Sequence, residues 1–242
     1  MNAPIRIGTS GWRYPHWQGR FYPHDLPPAQ WLSHYAQHFD SVEINNVFYR
    51  LPPAQTFHHW AEQTPPHFCF TVKASRYLTH QKKLKPAPQA LERLLDRSRL
   101  LGDKLGPILF QLPPRWHTNP ERLACFINQL PPGLRYAFEF RDPSWFNEAV
   151  YDILRAHDCA FCIYHLAGRQ SPILHTAPWI YLRLHGPDGP YQGRYGREGL
   201  RPWAERIQEW ASAGQAVYCY FDNDQNAHAV EDALTLKDLL AP

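Results

Sequence analysis

The sequence has no hydrophobic run close to the ~18 consecutive apolar residues that mark a membrane-spanning helix. Its first residues, Met1-Asn2-Ala3-Pro4-Ile5, lack the charged and apolar regions of a secretory signal peptide, so we expect a cytoplasmic protein. Proline and glycine are too few for a low-complexity chain, because 24 prolines and 13 glycines make about 15% of 242 residues, against roughly 25–30% in such chains. With 44% hydrophobic residues, the sequence predicts one globular domain over residues 1–242.

The chain has no large excess of positively or negatively charged residues. The chain has 25 basic and 22 acidic residues, and a net charge of +3 is too small to indicate nucleic-acid binding by itself. Basic residues do concentrate between Lys73 and Lys104, where nine of them stand against three acidic residues. This stretch predicts either a surface with a positive field or ordinary solvated helix faces.

Cysteine is scarce and odd in number, and five cysteines without a secretory signal favour free thiols in a reducing compartment. Cys159 and Cys162 have the spacing of a redox motif or of half a zinc site. However, the apolar run Phe161–Tyr164 predicts a strand, and residues three apart on a strand point to opposite faces. We therefore predict structural roles for both cysteines.

Short apolar runs with a period of two alternate with helical patterns along the whole chain. The predicted strands are Ile5–Gly8, Val42–Asn45, Phe68–Lys73, Ile108–Leu112, Tyr136–Phe140, Phe161–His165, Ile180–His185 and Val217–Asp222. Eight strands separated by helices predict an α/β fold, a parallel (β/α)8 TIM-type barrel. An open doubly wound sheet is the alternative, but the first strand is not followed by a glycine-rich phosphate-binding pattern.

Three local features qualify this pattern. Only thirteen residues lie between His165, at the end of the sixth predicted strand, and Trp179, just before the seventh, so we predict a short or irregular crossover there. Asn119 and Asp142 each precede a proline, an arrangement that predicts the start of a helix. A further helix is predicted from Pro202 to Ala213.

Polar side chains concentrate at the carboxyl ends of the predicted strands, where TIM barrels carry their active sites. The candidate catalytic residues are Glu43, Glu139, Lys73 and His185. The candidate substrate-binding residues are Asn45, Gln111, Arg141, Arg183, Asp222, Asn223 and Tyr195. The alternative is an internally neutral layer in which Glu43 pairs with Lys73 and Glu139 pairs with Arg183, with no ligand.

Three chemistries are compatible with these residues. Glu43 and Glu139 could divide general acid and base work between them. A divalent metal is a second option, with ligands drawn from Glu43, Glu139, His165, His185 and Asp222, although the nearby cations would repel it. Lys73 as a Schiff-base amine is the third, and it would need a lowered pKa, whereas a neighbouring glutamate would keep it charged.

The cations Lys73, Arg141 and Arg183 favour an anionic ligand such as a phosphate or a carboxylate. Our main hypothesis is thus an enzyme, of the hydrolase, lyase or isomerase type, that acts on a phosphorylated or anionic small molecule. The second hypothesis is a nucleic-acid-binding protein or a metal-dependent endonuclease. The basic stretch and the loop Tyr191–Arg197 favour it, because aromatic faces beside cations suit nucleobases.

Seven short motifs follow one another along nearly the whole chain. They are Gly8-Thr9-Ser10-Gly11-Trp12, Val42-Glu43-Ile44-Asn45, Phe70-Thr71-Val72-Lys73-Ala74, Gln111-Leu112-Pro113-Pro114, Glu139-Phe140-Arg141, Arg183-Leu184-His185-Gly186 and Tyr220-Phe221-Asp222-Asn223-Asp224. This series resembles the YecE-like family, catalogued as domain of unknown function 72. The resemblance implies a TIM-type barrel and no particular reaction. Asp142 and Asp222 depart from the family pattern, in which histidine and asparagine are expected.

Overall fold

The structure, a computed structural model, describes residues 3–241, and within that range eight parallel strands form a nearly closed barrel. In chain order the strands are β1 (Ile5–Thr9), β2 (Ser41–Ile44), β3 (Cys69–Lys73), β4 (Leu105–Gln111), β5 (Tyr136–Glu139), β6 (Ala160–Leu166), β7 (Arg169–Gln170), β8 (Trp179–Leu184) and β9 (Ala216–Phe221). The short strand β7 pairs antiparallel with β6 and lies outside the barrel order. The prediction of a TIM-type barrel is confirmed.

The barrel strands are hydrogen-bonded in the order β1-β9-β8-β6-β5-β4-β3-β2. An isolated parallel bridge between Ser10 and Glu43 links the two end strands. The Gly11 amide also donates to the Glu43 carbonyl oxygen at 2.8 Å. The chain therefore draws β1 and β2 together at their C-terminal ends, next to the residues that were predicted to form a site.

Helices return the chain from one strand to the next on the outside of the barrel. Within residues 3–241 they are α1 (Trp31–Tyr35), α2 (Asn46–Tyr49), α3 (Ala54–Glu62), α4 (Pro88–Arg99), α5 (Pro120–Ile127), α6 (Glu148–Ala156), α7 (Gly196–Ser212) and α8 (His228–Leu239). A π-helical turn, Tyr77–Gln81, follows β3. In the part of the chain that the structure describes, none of the helices has the length and apolar character needed to cross a bilayer.

Of the two predicted helix starts, one is confirmed and one is wrong. Asn119 caps α5, because its side-chain oxygen accepts from the backbone amide three residues later at 2.9 Å. Asp142 instead caps a single 3-10 turn, and its Oδ1 accepts from the Ser144 amide at 3.1 Å. The helix α6 begins only at Glu148, behind a separate Asn147 cap. The Asp142–Pro143 pair therefore marks a single turn, and the residue that caps α6, Asn147, lies five residues further on.

The segment from β6 to the end of α7 contains both the irregular crossover and a helix longer than predicted. Residues 167–178 contain the short strand β7 and no helix, as the small spacing required. The helix that was predicted to begin at Pro202 begins at Gly196, so Pro202 lies inside α7. The strand β7 forms a short hairpin with the end of β6, in which His165 pairs with Gln170 and Leu166 with Arg169.

Alternation of side chains along the strands divides the core in two. One part fills the barrel and includes Leu109, Ala137, Cys162, Tyr181, Tyr218 and Tyr220. The other lies between barrel and helices and contains Ile44, Val72, Phe140 and Leu184. Cys162 lies in the inner part and Cys159 in the outer part, and all five cysteines are free. The two cysteines therefore face opposite sides of the sheet, as predicted.

Candidate functional site

Arg183, on β8, lies at the centre of a buried ion-pair network at the C-terminal end of the barrel. Its side chain is 0% exposed, and its guanidinium contacts three carboxylates. Nη2 lies 2.6 Å from Glu43 Oε1 and 3.1 Å from Asp222 Oδ2, and Nη1 lies 2.8 Å from Glu139 Oε2. We call these four side chains, together with His185, the buried network. A single arginine thus compensates carboxylates that come from three different strand ends.

Glu43 is held on both oxygens by groups inside the barrel. The Tyr181 hydroxyl donates to Glu43 Oε2 at 2.7 Å, and the Ser10 hydroxyl donates to Oε1 next to Arg183. Asn45, predicted to bind substrate, donates instead to Ser10 Oγ at 2.7 Å. Glu43 is 0% exposed, so its carboxylate is part of the frame of the site and does not reach its surface.

The pKa values of the other two carboxylates reflect this compensation. Burial alone would raise the pKa of Asp222, but Arg183 and the His185 hydrogen bond outweigh it and lower the pKa to about 2. Burial likewise opposes ionisation of Glu139, whose pKa is nevertheless held well below its usual range by Arg141, Arg183 and His185. Both groups are therefore carboxylates at neutral pH, and neither is placed to act as a general acid.

His185 is oriented by two hydrogen bonds that also assign its proton. Its Nε2 lies 2.9 Å from Arg141 Nη2, and an arginine can only donate, so Nε2 is the acceptor. Its Nδ1 lies 3.0 Å from Asp222 Oδ2, which can only accept, so Nδ1 carries the proton. The imidazole links Arg141 to the buried network. Its side chain is 0% exposed.

Lys73, at the end of β3, is buried but belongs to none of these ion pairs. Only 8% of the residue is exposed, and its Nζ lies 4.5 Å from the centroid of the Phe48 ring. Burial, reinforced by the positive charge of Arg183, lowers the pKa of Lys73 to about 8. The predicted Glu139–Arg183 pair is confirmed, but the predicted Glu43–Lys73 pair is wrong. Glu43 and Glu139 still raise the pKa of Lys73 from a distance, but burial outweighs their effect.

A cavity of about 900 Å³ opens at the C-terminal mouth of the barrel, beside the buried network. Its cationic lining consists of Lys73, Arg76, Arg141 and Arg169. Its aromatic lining consists of Phe48, Tyr49, Phe146, Tyr164 and Tyr191, and its remaining lining residues are His80, Gln111, Pro114, Pro143, Leu166 and Gln170. Arg141 connects the cavity to the buried network, because its guanidinium pairs with Glu139 and lies 5.0 Å from the Tyr164 ring.

His80 is the cavity's imidazole, and it comes from the π-helical turn after β3. Its Nδ1 lies 2.9 Å from the Thr79 hydroxyl, and its ring packs edge-on against Phe48. Partial burial, followed by the charges of Lys73 and Arg76, lowers the pKa of His80 to about 4. His80 is therefore neutral at pH 7 and able to accept a proton.

The structure divides the predicted site residues into three groups. Those that line the cavity are Lys73, Gln111 and Arg141. Those in the buried network are Glu43, Glu139, Arg183, His185 and Asp222. The remaining ones hold loops: Asn45 binds Ser10, Asn223 donates to Asp232 at 2.8 Å, and the Tyr195 hydroxyl accepts from the Gly186 amide at 3.1 Å. The residues of the strand-end pattern therefore come together at one end of the barrel, but most of them lie behind the surface that a ligand could reach.

Sequence reasoning missed several residues of the cavity wall. Arg76 and His80 follow β3 in the π-helical turn, and Arg169 and Gln170 form the added strand β7. These segments have no regular apolar period, so nothing in the sequence indicated which way their side chains point. The one available signal was the unusually short crossover after β6, which places residues 167–170 next to the barrel mouth.

The residues that were considered as metal ligands do not form a cation site. Arg183 occupies the space between Glu43, Glu139 and Asp222, and His165 Nδ1 lies 2.8 Å from the Tyr195 hydroxyl, away from that cluster. Among residues 3–241, no three histidine, cysteine, aspartate or glutamate side chains are grouped so that they could hold a metal ion.

Comparison with known proteins agrees with this geometry. A family described as "Protein of unknown function DUF72" matches residues 6–242, which is nearly the whole chain. The chain belongs to the DUF72 family. A curated DUF72-type relative, the UPF0759 protein YecE of Escherichia coli, is 30% identical over 260 residues, covering 96% of this chain and 91% of YecE. The UPF0759 protein YunF of Bacillus subtilis is 25% identical over 269 residues, covering 98% and 94%.

Solved DUF72 structures share the barrel. A DUF72 family protein from Thermotoga maritima superposes with a TM-score of 0.89 at 28% sequence identity, covering 98% of this chain and 99% of that one. A DUF72 family protein from Enterococcus faecalis has a TM-score of 0.85 at 18% identity, covering 98% and 95%, and shows similarity of fold alone. The resemblance inferred from the sequence motifs is confirmed, and the DUF72 fold is a TIM-type barrel.

Proposed function

We propose that this protein is an enzyme that binds a phosphorylated or otherwise anionic small molecule in the cavity and transforms it by acid–base chemistry. One observation carries the proposal: four cationic side chains line the cavity, and within residues 3–241 no aspartate or glutamate lines it with them. Arg76 and Arg169 are exposed at the mouth, where a ligand can reach them. Arginine and lysine in such an arrangement favour phosphate and carboxylate groups.

The size and apolar lining of the cavity support a small organic ligand. A cavity of about 900 Å³ lies at the upper end of the volumes typical of small-molecule sites, which run from about 300 to 1,000 Å³. Its aromatic side chains provide flat apolar surface for the body of the ligand, while the cations fix its anionic group. The Arg141 guanidinium lies over the ring of Tyr164, and both residues line the cavity.

We assign proton transfer to Lys73 and His80 and positioning to the buried glutamates. Glu43 and Glu139 were the predicted acid and base, but both are 0% exposed and both pair with Arg183. Lys73 and His80 line the cavity. With its pKa lowered to about 8, Lys73 can be present as the ammonium or as the free amine, and His80, with its pKa lowered to about 4, is a neutral proton acceptor. The glutamates then act through Arg141 and Arg183, whose positions they fix.

The first prediction concerns anion affinity. In the double variant Arg76→Ala/Arg169→Ala, we expect the affinity for inorganic pyrophosphate at pH 7 to fall by roughly tenfold or more, since each lost charged hydrogen bond is worth about 1.5–3 kcal/mol in protected surroundings and less at an exposed site. Titration calorimetry on the wild type and the variant measures the change. Both side chains are exposed at the mouth, so folding should be unaffected.

The matched control is Lys85→Ala/Arg93→Ala, which removes two exposed positive charges outside the cavity. It should leave pyrophosphate affinity within about twofold of the wild type, because exposed charges beyond a Debye length of about 8–10 Å are screened. Equal losses in both double variants would show that the cavity has no special role. No binding by the wild type would overturn the proposed function.

The nucleic-acid hypothesis is kept as a second candidate because two tyrosines at the mouth are exposed: Tyr49 to 79% and Tyr191 to 41%. Exposed aromatic faces beside cations can stack on bases. If it is right, single-stranded DNA should bind with a logarithmic affinity that falls by about 0.7 per phosphate contact for each tenfold rise in salt. Fluorescence anisotropy of a labelled oligonucleotide at several salt concentrations tests this. A small-molecule site instead gives no measurable DNA affinity at 150 mM salt.

A further inference from the structure

Lys73 is a buried amine that the fold leaves without a carboxylate partner. The three carboxylates of the buried network pair with Arg183, Arg141 and His185, and none of those contacts includes Lys73. Within residues 3–241 the Lys73 amine has no ion pair, and it lies over the face of the Phe48 ring, 4.5 Å from the ring centroid. The residue is 8% exposed, and the surface that remains borders the cavity.

Register explains why Lys73 lacks a partner. Glu43 lies opposite Thr71 on the neighbouring strand, so Lys73 stands two residues further along β3, one side-chain layer nearer the mouth. At that level its neighbour on β4 is Leu109, which is apolar. An amine in such surroundings has lost hydration without gaining a carboxylate in contact, and burial lowers the pKa of Lys73 to about 8.

We propose that Lys73 is a nucleophilic amine that forms a Schiff base with an anionic aldehyde or ketone bound in the cavity. This inference rests on the proposed function, because it uses the same cavity and the same cations, and it adds the reactive group and the class of substrate. The cations around Lys73 hold the anionic group of the substrate. The apolar stem of Lys73 and the Phe48 ring then keep water from the carbonyl carbon.

The step balances without any further reagent. The neutral Lys73 Nζ forms a bond to the carbonyl carbon, and the carbonyl π-electron pair moves to the oxygen, which takes up a proton. The resulting carbinolamine then loses water. Of the two hydrogens in that water, one comes from Lys73 Nζ and one from the medium, so the product is a protonated imine. His80, which also lines the cavity, is the group available to relay the protons.

The test uses pyridoxal 5′-phosphate, an aldehyde with a phosphate group, and pyridoxal, the same aldehyde without it. Each is added in equimolar amount to the intact protein at pH 8 and reduced with borohydride, and the labelled lysine is located by peptide mass spectrometry. We expect one label at Lys73, formed at least tenfold faster with the phosphorylated aldehyde and suppressed by inorganic pyrophosphate. Lys73→Arg should abolish it, and Lys85→Arg, an exposed lysine outside the cavity, should not.

The variant Lys73→Met, which keeps the length of the apolar stem, guards against loss of label through misfolding, and its circular dichroism should match the wild type. Labels spread over exposed lysines, or a Lys73 that reacts no faster than Lys85, would overturn the Schiff-base inference. Pyrophosphate calorimetry on the same samples separates the two proposals. Pyrophosphate binding without Lys73 labelling rejects only the Schiff base. Lys73 labelling at equal rates by both aldehydes, without pyrophosphate binding, rejects the anion site.

Discussion

Replacement of Arg183 by methionine is expected to destabilise the protein by about 3–5 kcal/mol, because it leaves three buried carboxylates without their shared cation. The guanidinium is 0% exposed, so water cannot take its place without opening the barrel end. Urea denaturation followed by tryptophan fluorescence measures the loss in unfolding free energy. Urea is suited to this because it is uncharged and does not screen the ion pairs of the wild type.

The matched control is Arg6→Met, which removes the Arg6–Asp40 pair at the opposite end of the barrel. That pair is as short, at 2.6 Å, but its side chains are 26% and 33% exposed. A partly solvated pair contributes about 0–1 kcal/mol, so the control should lose little stability. If Arg183→Met lowers the unfolding free energy no more than Arg6→Met does, the carboxylates of the buried network are neutral or hydrated. The interpretation of the site as a compensated charge cluster is then wrong.

The pH dependence of stability should also change sign in Arg183→Met. In the wild type, the pKa of Asp222 is lowered to about 2, so its contribution is present above pH 4 and is lost as the pH falls through 2. Arg183 is the largest of the groups that offset the burial of Asp222, so in the variant burial should raise the pKa of Asp222 above that of the unfolded chain. The folded variant then binds more protons than the unfolded one, and its stability should fall as the pH rises from 5 to 8. A parallel pH profile in both proteins would contradict this.

The position of the site could be predicted from the sequence because it depends on two regular features. Strand period placed Glu139 and Arg183 on the inner face, and the TIM-type barrel placed their strand ends at one mouth. Of the two ion pairs named from the sequence only Glu139–Arg183 forms, since pairing depends on the stagger between strands. Glu43 lies level with Thr71 and not with Lys73, while Arg183 is long enough to reach Glu43 from three strands away.

The cavity wall could not be predicted because it is built from irregular backbone. Arg169 is brought to the mouth by a two-residue strand, and Arg76 and His80 by a single π-helical turn. Side chains on such segments follow no period of two or 3.6, so their direction depends on contacts that only the folded chain supplies. Several side chains that can touch a ligand, such as Arg76, His80 and Arg169, are therefore not among those that the strand-end pattern indicated.

Gly186 lies directly after His185 and connects the buried network to the loop that contains Tyr191 and Gln192. Its replacement by alanine is expected to lower the unfolding free energy by about 3 kcal/mol or more. Its φ of +105° is unfavourable for any residue with a Cβ, and a Cβ placed there would lie 2.1 Å from the Gln192 carbonyl oxygen. The Gln192 backbone cannot yield easily, because the neighbouring Tyr191 amide donates to the His185 carbonyl at 2.8 Å. Urea denaturation of the variant measures the loss.

Gly214→Ala is the matched control, because Gly214 also has a positive φ, +83°, but has no atom within 4 Å of a built Cβ. Its unfolding free energy should fall by only ~1–2 kcal/mol, which is the cost of placing a residue with a Cβ in the left-handed backbone conformation. The difference between the two variants isolates the clash with Gln192. Tyr191 lines the cavity, and the clash displaces the loop on which it lies. Gly186→Ala should therefore also weaken pyrophosphate binding, whereas Gly214→Ala should not. Equal losses of stability in both variants would mean that the loop yields freely and that Tyr191 is not fixed by its connection to His185.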